Sequence, residues 1–73
     1  MRRVLDMPGQ RGSPGESIRT LRQLAGLSLE AVASTADTST AYLSKVETGK
    51  LVPTKSYVAK VTTAIAAHLR DAA

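Results

Sequence analysis

Thr40, Ala41, Ser44, Lys45 and Thr48 fall on one face of a helical wheel drawn over residues 39–48, within ~140° of one another at ~100° per residue. The chemistry they offer is contact, not bond breaking: hydroxyls that donate and accept, small methyl groups, and one ammonium. None is bulky, so a backbone on this face can come close to its target. Residues suited to catalysis are sparse. His68 is the only histidine and cysteine is absent, which removes thiol nucleophiles, disulfides and the usual zinc ligand sets. The carboxylates Asp6, Glu16, Glu30, Asp37, Glu47 and Asp71 are scattered, with no spacing that suggests an acid–base pair. Gly49-Lys50 lacks the following Ser/Thr and the earlier glycine of a phosphate loop. The expectation is a chain that is no enzyme, holds no metal or cofactor, and offers no small-molecule site.

Charge points to the partner. Ten Lys and Arg against six Asp and Glu give +4 over 73 residues, with a pI near 10.0. A small basic domain suits an anionic partner, nucleic acid before anionic lipid. Aromatic platforms for stacking single-stranded bases are scarce: Tyr42 and Tyr57 stand alone, with no Phe or Trp. Double-stranded DNA is therefore the expected ligand. An α-helix fits its major groove, where Lys45 can donate to guanine and the methyls of Thr40 and Ala41 can touch thymine. The same face has no Gln, Asn or Arg, so strong bidentate base pairings are missing and specificity per half-site should be modest. No apolar run nears the ~18 residues of a membrane span and no cleavable leader pattern opens the chain. A soluble, cytoplasmic protein with no membrane partner is expected.

The elements that must position this face can be read from caps and periodicity. Residues 1–12 combine Arg2, Arg3 and Arg11 with Pro8, Gly9 and Gly12 and follow no helical or strand period; they read as a flexible basic arm able to add minor-groove contacts. Residues 13–73 read as one all-α domain. Ser13-Pro14-Gly15-Glu16 is a capping box with proline at the first helical position, followed by Ile18, Leu21 and Ala25 and ended by Gly26. Ser28 caps a second helix whose Leu29, Val32 and Ala33 face inward, with Leu27 stapling onto Val32. After a tight turn over 35–38, Thr38 or Ser39 caps a third helix running to about Thr48, with Gly49 as its C-cap. Thr54 caps a fourth, striped by Val58, Val61, Ile65 and Leu69. The second half of that stripe is longer than a small core needs and could meet a copy of itself. His68 reads as an isolated surface residue.

Two charges fall among apolar positions. Arg22 lies ~40° from Ile18 on the first helix, and Glu47 lies ~40° from Leu43 on the third. Glu47 also sits in a last turn, where the helix dipole disfavours a carboxylate. Together they make sense as an Arg–carboxylate pair, with bidentate geometry available, that holds the third helix at a fixed angle to the first. Desolvation would offset most of its net contribution, yet removal of one partner would cost ~3–5 kcal/mol.

The stretch from about Ser17 to Val61 resembles the Cro/cI-type (XRE-type) helix-turn-helix of phage repressors and small bacterial regulators. The resemblance is carried by Leu27-Ser28 and Ala33, a small turn, Ser39, Leu43, Val46-Glu47-Thr48-Gly49-Lys50 and Pro53-Thr54 in order. It implies a compact lambda-repressor-like domain of four to five helices. It also implies a sequence-specific transcriptional regulator, repressor or Cro-like, of bacterial or phage origin, acting as a homodimer on DNA. Carried over by position, base contacts fall to Thr40, Ala41 and Lys45, with Ser44 on the same face. Phosphate contacts fall to the backbone N–H groups at Ser28 and Leu29, to Ser39 and Tyr42, and to Lys50 and Lys55. The pair Arg22 and Glu47 matches an internal bridge of the family.

Three departures stand out. Leu29 replaces a frequent phosphate-touching glutamine, Asp37 replaces a frequent turn glycine, and the segment from Lys55 onward has no Gly or Pro to break it into two helices. Two competing readings follow: a protein-binding module of the same fold, such as an antitoxin or anti-repressor partner, and a non-specific architectural DNA binder.

Overall fold

The structure, a computed structural model, describes residues 13–72. The expected basic arm, with Arg2, Arg3 and Arg11, lies outside the described residues. Four helices follow one another: α1 (Pro14–Leu24), α2 (Leu29–Thr35), α3 (Thr40–Glu47) and α4 (Lys55–Ala72). There is no strand among the described residues.

Each helix starts on a side-chain hydroxyl that accepts from the backbone N–H three residues on. Ser13 Oγ accepts from Glu16, Ser28 Oγ from Ala31, Ser39 Oγ from Tyr42 and Thr54 Oγ1 from Tyr57, at 3.0–3.2 Å. Such a cap contributes about 1 kcal/mol. The first three helices also end alike. In each, a residue with positive φ (Gly26 at 72°, Asp37 at 57°, Gly49 at 82°) sends its N–H back to the second-last helical residue, and the next N–H reaches one residue further back. This paired arrangement satisfies carbonyls that the helix end leaves open. Aspartate stands where glycine would be unstrained, at a cost of about 1 kcal/mol.

The core joins all four helices. Ile18 of α1, Val32 and Ala33 of α2, Ala36 beyond it, Leu43 and Val46 of α3, and Val61, Ala64 and Ile65 of α4 are buried together. Leu27, Leu29, Leu51 and Val58 pack around them half-buried. One apolar residue expected inside is not: Leu21 is 46% exposed, whereas Leu69, in the half of the α4 stripe beyond the needs of the core, is 53% exposed. Leu21 lies a turn beyond Ile18 at the margin of the stripe, and Ile18, with the half-buried Ala25 just past the end of α1, covers this side of so small a core. His68 departs from expectation in the other direction. It is half-buried, with Nε2 2.8 Å from Thr35 Oγ1, and so ties the later part of α4 to α2. The chain from Lys55 to Ala72 is one helix of 18 residues, unbroken as the absence of Gly and Pro there predicts.

Candidate nucleic-acid interface

The outward face of α3 is open. Ala41, Lys45 and Thr48 are exposed, and Thr40 and Ser44 are half-buried at its edges. Thr48 turns its hydroxyl back to the carbonyls of Ser44 and Lys45 at 3.0 and 3.3 Å, closing the helix end. Lys50, just past the end of α3, and Lys55, the first residue of α4, are both exposed. The backbone that presents Lys50 is fixed, because its N–H donates to the Lys45 carbonyl at 2.8 Å. The structure thus brings Lys45, Lys50 and Lys55 onto surface positions at and just after α3.

At the near end, Ser28 and Ser39 are exposed caps. Leu29 is half-buried against the core, so its side chain is committed there and only its backbone N–H can serve a phosphate. Tyr42, 41% exposed, leans its ring on Tyr57, with centroids 5.0 Å apart and planes at 60°. That edge-to-face contact leaves Tyr42 at the surface beside Thr40 and Ala41.

The brace behind α3 is specific. Arg22 Nε donates to Glu47 Oε2 at 2.8 Å and Nη2 donates to Oε1 at 2.9 Å, a parallel two-point pair. The third nitrogen, Nη1, donates to the Leu27 carbonyl at 2.8 Å, joining the α1–α2 connection to the same guanidinium. Glu47 is only 7% exposed. Hydrogen bonding to Glu47 raises the proton affinity of Arg22 above the ordinary arginine value; burial opposes this, and attraction from Glu47 and Glu30 adds to it. Arg22 therefore stays charged through any pH at which such a domain folds.

Sequence reasoning missed a second brace. A methyl group built on Gly15 would collide with the Val46 carbonyl, because the first turn of α1 lies directly on the last turn of α3. The available signal was a glycine inside a helix where alanine would be favoured by propensity. The cluster of Thr38, Tyr42 and Tyr57 was missed as well, since it depends on α4 crossing near the α2–α3 turn.

Among the described residues, no group of three or more His, Asp or Glu is placed to hold a metal ion. No helix among them is long and apolar enough to cross a membrane.

Two short helices joined by a tight turn, the second exposed along a small polar face and anchored through its buried face, make a helix-turn-helix. Comparison with known proteins agrees: the family profile described as helix-turn-helix domain matches residues 15–73. No curated protein and no solved structure matches the chain. The chain belongs to the helix-turn-helix DNA-binding family, in its XRE-like type.

Proposed function

We propose that this protein is a sequence-specific regulator of transcription, repressor or Cro-like, that places α3 in the major groove of duplex DNA. The carrying observation is the outer face of α3: small, polar, open to solvent and held from behind by the Arg22–Glu47 pair. Thr40, Ala41, Ser44 and Lys45 read base edges, Lys45 as donor to guanine and the small residues against thymine methyls. Phosphates are held by Lys50 and Lys55, by the hydroxyls of Ser39 and Tyr42, and by the N–H groups opening α2 at Ser28 and Leu29. A homodimer on DNA would set two copies of α3 about 34 Å apart. The exposed Leu69 near the end of α4 supports a self-contact there.

Selection from a random duplex pool at near-physiological salt, followed by footprinting, tests the reading. The expected result is a symmetric site whose preference falls when Lys45 or Thr40 is changed to Ala. Lys50→Ala and Lys55→Ala should instead weaken all duplexes alike and lower the salt slope by about one each. A second reading, a non-specific architectural binder, is favoured by the lack of Arg, Asn and Gln on the reading face. It predicts equal affinity for unrelated duplexes at the same salt.

A further inference from the structure

Tyr57 belongs to the first turn of α4, outside the helix-turn-helix pair, yet it grips the start of α3. Its hydroxyl is 3.1 Å from Thr38 Oγ1, and its ring meets the Tyr42 ring at 5.0 Å between centroids. Its own N–H is held by Thr54 Oγ1 at 3.1 Å, and Lys60 Nζ stands 5.8 Å from its ring centroid. The side chain is therefore located from several directions. Thr38 and Tyr42 bracket Ser39, Thr40 and Ala41 along the chain. Thr38 is fixed to α2, because its N–H donates to the Ala33 carbonyl at 2.9 Å. Tyr42 is part of the first turn of α3. One side chain thus touches the turn at Thr38, itself tied to α2, and α3 at Tyr42, on either side of the residues proposed to read bases.

We infer that Tyr57 is a positioning residue for base discrimination: it sets the tilt of the first turn of α3 relative to α2, and through it the approach of Thr40 and Ala41 to base edges. This rests on the proposed reading role of α3. Base-edge hydrogen bonds and methyl contacts fail over fractions of an ångström, whereas long lysines at phosphates follow a shifted backbone. Loosening Tyr57 therefore lowers preference between sequences and leaves the electrostatic part of binding intact.

The test uses the full chain, a duplex enriched by it from a random pool, and a scrambled duplex of the same composition, titrated by anisotropy at several salt concentrations. The preference is the ratio of the two affinities, measured well below each variant's unfolding temperature. Tyr57→Phe keeps the ring and removes the hydroxyl; Thr38→Val removes the other partner. Each is expected to lower the preference roughly two- to tenfold, the range of one neutral hydrogen bond, with the salt slope unchanged. The double variant should fall no further than either single one, because both break the same contact. The inference is overturned if Tyr57→Phe keeps the wild-type preference, or if it weakens both duplexes equally. A preference abolished by Lys45→Ala and untouched by Tyr57→Phe removes the positioning role alone. A wild-type chain with no preference at all removes the reading role of α3, and this inference with it.

Discussion

The two ends of α3 are held by different kinds of contact. At the C-terminal end, Glu47 is locked to Arg22 by two charged hydrogen bonds, and the Val46 carbonyl lies against Gly15 with no side chain between. At the N-terminal end, an aromatic edge and one neutral hydroxyl bond from Tyr57 hold Tyr42 and Thr38. The first set is buried and intolerant of change; the second is partly open to water. The cost of a single substitution is thus greatest at one end of the helix, and the fine placement of Thr40 and Ala41 lies at the other.

That contrast can be broken most sharply at Arg22. Arg22→Ala leaves a carboxylate buried without its partner and should cost about 3–5 kcal/mol in urea unfolding, enough to unfold much of a domain this small. Replacing both partners, as Arg22→Met with Glu47→Leu, should restore most of that loss, since the intact pair contributes little net stability. Gly15→Ala comes next. Helix propensity alone would make it stabilising by about 0.5–1 kcal/mol, whereas the contact with Val46 predicts a loss of about 1–3 kcal/mol. The sign of the change in thermal midpoint decides between them. Tyr57→Phe, at the soft end, should cost about 1 kcal/mol in the same unfolding experiments. The smallest effect belongs to Asp37→Gly. Relief of the left-handed conformation outweighs the added chain entropy only slightly, so a gain of less than about 1 kcal/mol is expected. A loss there would mean that the carboxylate makes a contact that matters.

Much of this was legible from residue types and spacing because it is local. Ser13, Ser28, Ser39 and Thr54 announce their helices, since a hydroxyl cap acts within three residues of itself. Gly26 and Gly49 mark helix ends for the same reason. Arg22 and Glu47 were visible as a pair only because each broke an apolar stripe, which makes an unpaired reading costly. The contacts that escaped notice depend on how helices cross. Nothing near Gly15 announces Val46, 31 positions away in the chain. Tyr57 is ordinary on its own wheel, and Thr35 carries no sign of His68. Leu21 fits the helical period of its neighbours, but period does not say how wide a face the core will cover.

The bare contact between Gly15 and Val46 makes that point of α3 a fulcrum. From Val46 to Thr40 the helix runs about 9 Å, at about 1.5 Å per residue. A swing of only about 10° there would carry the tip by roughly 1.6 Å, more than a hydrogen bond tolerates. The omission of a single methyl near the start of the domain thus governs leverage at its working tip.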